Sequence, residues 1–113
     1  MSASALKERL RTDLKAAMQA RATDEVRTLR TLIAALDNAE AVPSEPGPYA
    51  FRALGDPSGE VARLVLDGAT VGAVLETEIA TRLAAAADYA AHGRAEDAER
   101  LHGEVALIRR YLA

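Results

Sequence analysis

A chain of 113 residues amounts to one domain, long enough to bury roughly two-thirds of the surface its unfolded form exposes, so no metal or disulfide staple is required. It has no cysteine, which excludes disulfides, thiol chemistry and cysteine metal sites, and its 26 alanines favour closely packed helices over a β-sandwich. The net charge of −3 argues against a uniformly polyanion-binding surface, but it is unevenly spread: residues 1–30 carry seven Lys or Arg against four Asp or Glu, and residues 31–113 carry seven against thirteen.

A first helix is predicted from about Ser4 to Ala20. Leu6, Leu10, Leu14, Ala17 and Met18 recur at spacings of three and four, which stacks them on one face, and Ser4 or Ser2 can cap the start. Lys7, Glu8 and Arg9 interrupt any apolar leader, so no signal peptide is readable. With no apolar run of bilayer length, a cytoplasmic location is the default. A second helix is predicted from about Asp24 to Ala41, with Thr23 as N-cap and Asp24 and Glu25 suited to the positive end of its dipole. Val26, Leu29, Ile33 and Leu36 form its apolar stripe. The very short link predicts an antiparallel hairpin over 4–42.

Pro43 ends that helix. All four prolines fall between Val42 and Gly59, which marks a Pro/Gly connection over 43–66, pinned to the bundle by Tyr49, Phe51 and Leu54. Val61–Leu66 is compatible with a helical turn or an extended piece. A third helix follows from Gly68 or Ala69 to His92, with Asp67 as N-cap and an apolar face of Val71, Val74, Leu75, Ile79, Leu83, Ala86 and Tyr89. Gly93 suits the left-handed position that closes a helix. A fourth helix runs from about Arg94 to Leu112, buried through Ala98, Leu101, Val105, Ile108 and Leu112, and completes a second hairpin over 67–112. The predicted fold is all-α: two antiparallel helical hairpins in a four-helix bundle-like domain, joined by a Pro-rich loop.

Two groups of side chains bear on function. On a helical wheel Glu78 and Arg82 fall inside the third helix's apolar arc at the spacing that lets them pair, and Glu40 falls on the second helix's stripe with Arg30 flanking it. These four charges are expected at the interface between hairpins, either as a ligand-binding site or as a mutually paired network that fixes register, because an unpaired buried charge costs several kcal/mol. The second group is basic: Lys7, Arg11 and Lys15 stand one turn apart on the first helix, with Arg21, Arg27 and Arg30 nearby. They can contact phosphates or shield the apolar stripe while staying solvated; no aromatic side chain alternates with them to stack on bases. His92 and His102 lie on separate elements without a metal-ligand cluster. There is no P-loop, dinucleotide turn, nucleophile elbow or HExxH, so no cofactor or catalytic constellation is expected and an enzymatic role is disfavoured.

The order of several short motifs resembles the GatB/YqeY family. Leu29-Arg30 followed by Asn38-Ala39-Glu40 is similar to that family's LR…NAE signature. Glu78 to Arg82, Asp88-Tyr89, Gly93-Arg94, Ala98-Glu99, Glu104 and Tyr111-Leu112 follow its second-half pattern. The resemblance covers residues 4–42 and about 66–112 and corresponds to the family's N-terminal helical part; the Pro-rich stretch replaces a shorter, charged connection. It implies a family polar network of Arg30, Asn38, Glu40, Glu78, Arg82 and Tyr111. In that family the module forms the tail of a tRNA-dependent amidotransferase subunit, thought to contact tRNA while catalysis lies in other domains. The implied label is carbon–nitrogen ligase with glutamine as amide donor. The implied role here is a non-catalytic helical module binding a protein or a tRNA- or amidotransferase-linked partner, with Lys7, Arg11, Lys15, Arg27 and Arg30 as candidate contacts and no membrane role. The alternative is a self-associating structural bundle, a homodimer built on alanine-rich faces, without nucleic-acid binding.

Overall fold

The computed structural model describes residues 1–41 and 64–112, and within them the chain is all-helical: α1 (Ala3–Gln19), α2 (Thr23–Glu40), α3 (Gly68–Ala91) and α4 (Ala95–Arg109). The helices form two antiparallel hairpins, α1 with α2 and α3 with α4, packed together mainly through α2. The Pro/Gly segment, with Tyr49, Phe51 and Leu54, lies outside the described residues. Its two ends meet: the Leu64 N–H donates to the Glu40 carbonyl at 2.7 Å. Of the residues that follow, Val65 is 98% exposed and Leu66 is buried.

Both hairpins turn by the same backbone device. At the end of α1, Arg21 takes a left-handed conformation (φ 57°), its N–H bonds the Met18 carbonyl and the Ala22 N–H bonds the Ala17 carbonyl. At the end of α3, Gly93 (φ 74°) bonds the Ala90 carbonyl and Arg94 bonds the Tyr89 carbonyl. This pair of bonds satisfies helix-terminal carbonyls that would otherwise lack donors. The next helix starts immediately, so Ala22 and Arg94 occupy the cap positions without a side-chain cap bond. Thr23, expected as an N-cap, is therefore the first residue inside α2. The closure has already fixed Ala22, whose carbonyl accepts the Val26 N–H at 3.0 Å. The other two helices are capped by side chains as their sequences suggest: Ser2 accepts from Ala5, and Asp67 from Thr70 at 2.7 Å.

The core is aliphatic. Leu6 and Leu10 of α1, Leu29, Leu32 and Leu36 of α2, Val71, Leu75 and Ile79 of α3, and Val105 and Ile108 of α4 are buried together with Tyr111. Val26 and Ile33, expected in the stripe, lie at its margin, while Leu32 and Thr28 take the centre. Thr28 tolerates burial because its hydroxyl donates to the Asp24 carbonyl at 3.0 Å. The main core runs along α3 only as far as Ile79. Beyond it the buried residues are the small Ala86 and Ala98, and Leu83, expected inside, is 36% exposed. α4 ends at Arg109, three residues before the expected end, and a turn carries Tyr111 back onto α1.

Candidate functional site

The polar residues singled out by sequence do not form one network; the structure sorts them into three clusters and one open face. The first cluster ties α1 to α2. Lys7 Nζ lies 3.0 Å from Asp37 Oδ1 and 2.5 Å from Glu40 Oε1, with 11% of the lysine side chain exposed. Both carboxylates pair with the ammonium, and the Glu40 oxygen that does so is shielded from water. The carboxylates of Glu40 and then Asp37 hold the ammonium's pKa above its ordinary value, against the opposing pull of burial. Lys7 is thus committed to its own hairpin, and the expected phosphate-contacting row loses its first member.

The second cluster ties α3 to α4. Arg82 places Nη1 3.1 Å from the Glu78 carbonyl and 3.5 Å from Glu78 Oε1, and its Nε donates to Glu104 Oε1 at 3.1 Å. The expected Glu78–Arg82 pair is present, joined by Glu104. Its side chains are only 12–21% exposed. The third cluster joins the hairpins. The Tyr111 hydroxyl donates to Asp13 Oδ2 at 2.5 Å, and the Arg9 guanidinium lies over the Tyr111 ring at 4.7 Å. Burial, and then the bond to Asp13, raise the Tyr111 pKa above the ordinary phenol range.

Arg30 and Asn38 stand outside these clusters, both exposed. Arg30 instead reaches α1, its Nη2 4.0 Å from the Met18 sulfur. This contact organises the open face. Lys7, Arg11, Lys15 and Met18 form one stripe along α1, and both ends of that stripe touch α2, Lys7 at Asp37 and Met18 at Arg30. Arg11 and Lys15, lying between in sequence, are both exposed. On α2, Thr23, Val26, Arg27, Arg30, Thr31 and Ala34 line a shallow surface hollow of about 420 Å³. Arg27 has a loose, solvent-exposed partner in Asp24 at 3.8 Å. All four of Arg11, Lys15, Arg27 and Arg30 on the first hairpin are thus exposed.

The opposite electrostatic character appears where α2 begins beside α4. Asp24, Glu25, Glu96, Glu99 and Glu104 share the walls of a cleft of about 470 Å³ with Arg100. Among the described residues no group of three or more His, Asp or Glu has metal-binding geometry. His92 abuts the Asp88 carbonyl through Nδ1 at the end of α3, and His102 is exposed on α4. No helix among the described residues is long and apolar enough to cross a membrane.

Sequence reasoning missed Asp37 and Asp13, and it named Glu104 only as a motif residue, not as the partner of Arg82; these are the acidic groups that complete the clusters. One signal was available for Glu104: it and Arg82 are equidistant in sequence from Gly93, so a tight antiparallel turn there sets them opposite each other. Compared with known proteins, the sequence matches no family model and no curated protein.

Proposed function

We propose that the chain is a non-catalytic helical module of the GatB/YqeY type, which presents the α1–α2 seam to an anionic protein or tRNA-linked partner. The observation that carries this reading is the Met18–Arg30 contact, which brings the basic rows of two helices onto one face of a protein whose net charge is negative. The order of motifs from Leu29-Arg30 to Tyr111-Leu112 supports the family placement, and the pairing of Arg82 with Glu78 and Glu104 gives three of those residues a structural role. The reading assigns this chain none of the family's amide-transfer chemistry.

The test is retention of two polyanions, tRNA and poly-glutamate, at low and moderate salt. Four cations engaging phosphates give a log–log salt slope of about −3. Wild type is expected to bind at least one of the two with such salt sensitivity, and the fourfold alanine variant of Arg11, Lys15, Arg27 and Arg30 to lose it. Binding of neither at low salt, or equal binding by the variant, overturns the reading.

The alternative, a self-associating bundle, has its own support in the far half of the second hairpin, where Leu83 and the exposed alanines Ala80, Ala84 and Ala87 lie beyond the main core. Sedimentation showing a monomer up to high protein concentration removes that alternative.

A further inference from the structure

We propose that the hollow between α1, the start of α2 and the C-terminal turn binds a compact zwitterion, an α-amino acid with a short aliphatic side chain. The site shares no residue with the four cations above and goes beyond the reading given to them. Both hairpins build it: Arg9 and Asp13 come from α1, Glu25 from the first turn of α2, and Arg110 and Tyr111 from the turn after α4. Its volume of about 380 Å³ lies at the lower end of the range for small-molecule sites, roughly 300–1,000 Å³, and such sites form preferentially where packed units meet. The hollow exists because α1 changes character along its length. Its first half buries Leu6 and Leu10, whereas Ala16, Ala17 and Ala20 line the hollow with side chains too short to fill it. Tyr111 is buried beside them and fixed by its bond to Asp13, so this wall is preorganised.

The charged groups on the walls are not all available. Asp13 is taken by the Tyr111 hydroxyl. Arg9 stacks on the Tyr111 ring, 4.7 Å from its centroid, which occupies one face of the guanidinium and leaves its in-plane N–H donors open. Arg110 and Glu25 are exposed and have no ion-pair partner among the described residues. Burial and then Asp13 raise the Tyr111 pKa, and Arg110 and Arg9 pull it back, so both guanidiniums act on the same hydroxyl. What remains for a ligand is two guanidiniums beside one phenol, one unpaired carboxylate and an alanine floor. A ligand carboxylate between Arg9 and Arg110 suits the fork of guanidinium donors. An ammonium on the same molecule answers Glu25, which repels a simple anion. A short aliphatic side chain covers the alanines. The two arginines and two carboxylates on the walls sum to zero, which favours a ligand that is itself neutral overall. A lone anion or a lone cation satisfies only half of the set.

The experiment titrates the full chain with L-valine and follows backbone amide shifts. The controls are isovalerate and isobutylamine, which are valine without its ammonium and without its carboxylate. Valine is expected to give saturable shifts at residues 9–20, 25 and 109–111, with a midpoint about tenfold below that of either control. Arg110→Ala and Glu25→Gln, both at exposed positions, are each expected to weaken valine about fivefold or more. Ala16→Leu, which fills the hollow from an exposed helical position, is expected to abolish saturation. Melting temperatures of all three are compared with wild type, and the two charge variants decide the matter if Ala16→Leu melts early. No saturable shift from valine, equal midpoints for either control, shifts centred elsewhere, or valine binding untouched by both charge variants would each overturn the assignment, as would full binding by a stably folded Ala16→Leu. Arg11, Lys15, Arg27 and Arg30 line no part of this hollow, so loss of tRNA or poly-glutamate binding leaves it standing, and its failure leaves the reading of those four cations standing.

Discussion

Replacing Arg82 with alanine isolates what the Glu78–Arg82–Glu104 cluster contributes. The guanidinium is 12% exposed and holds two carboxylates whose side chains are 21% and 14% exposed. Removing one partner of a buried ion pair costs about 3–5 kcal/mol, because the remaining charge is left without compensation. Here two carboxylates are stranded, but both keep some contact with water, so the figure is discounted to about 2–3 kcal/mol. With a urea slope of about 1.5 kcal/mol/M for a domain of this size, the midpoint at pH 7 falls by about 1.3–2 M. Most of this loss is repulsion and poor solvation of the two carboxylates. The double variant with Glu104→Ala should then be less destabilised at pH 7 than the two single effects summed, by about 1 kcal/mol or more. Urea melts of wild type, both singles and the double at pH 7 supply every term. An Arg82→Ala midpoint within 0.3 M of wild type at pH 7, an order-of-magnitude limit set by extrapolation error, would refute the claim that Arg82 compensates charges shielded from water.

Three further outcomes follow from named contacts. Lys7→Met strands the buried Glu40 carboxylate and should destabilise by about 2 kcal/mol in urea melts. Because the Lys7 pKa is raised on folding, wild type is predicted to hold this contribution at neutral pH and lose it as pH climbs beyond the ordinary lysine range, while the variant shows a flatter alkaline limb. Tyr111→Phe removes the bond to Asp13 and leaves that carboxylate short of a donor. A loss of about 1–2 kcal/mol is expected, and the phenol's raised pKa, like that of Lys7, puts its stabilisation below the ordinary phenol pKa and its loss above it. Arg21→Gly relieves an L-residue held at positive φ. The relief of about 1–2 kcal/mol exceeds glycine's entropic penalty of about 0.5–1, so the variant should be more stable by about 0.5–1 kcal/mol in thermal melts.

The fold was legible because each helix carries its own period. Leu6 and Leu10, Leu29 and Leu36, Val71, Leu75 and Ile79, and Val105 and Ile108 are all spaced for one helical face, and all are buried. The boundaries were less legible where backbone geometry overrode side-chain preference. Threonine is a good cap, yet Thr23 was drawn into α2 because the Arg21–Ala22 closure left no room for a separate cap residue. Periodicity also overstates burial where the partner runs out. Leu83 continues the α3 stripe without fault, but the first hairpin covers α3 only near its N-terminal half, and a residue's own pattern does not record the length of the element that covers it.

The polar clusters show the complementary limit. A helical wheel finds pairs within one helix, so Glu78 and Arg82 were readable, but it carries no information about the neighbouring rod. What supplies that information is the turn. Both turns close by the same two backbone bonds, and a turn that tight leaves the register of the hairpin almost no freedom. Arg82 then meets Glu104 across Gly93, and Lys7 meets Asp37 and Glu40 across Arg21. The same register explains why the basic residues divide as they do. Lys7 and Arg30 are both cations beside an apolar stripe, yet Lys7 stands level with acidic residues and is neutralised, while Arg30 stands level with Met18 and is left facing solvent. The charge available to a partner is thus set less by how many Arg and Lys the first hairpin contains than by which residue the turn places opposite each of them. Lengthening the Ala20–Ala22 turn by one residue should accordingly disrupt the Lys7 ion pairs and the Arg11–Lys15–Arg27–Arg30 face together.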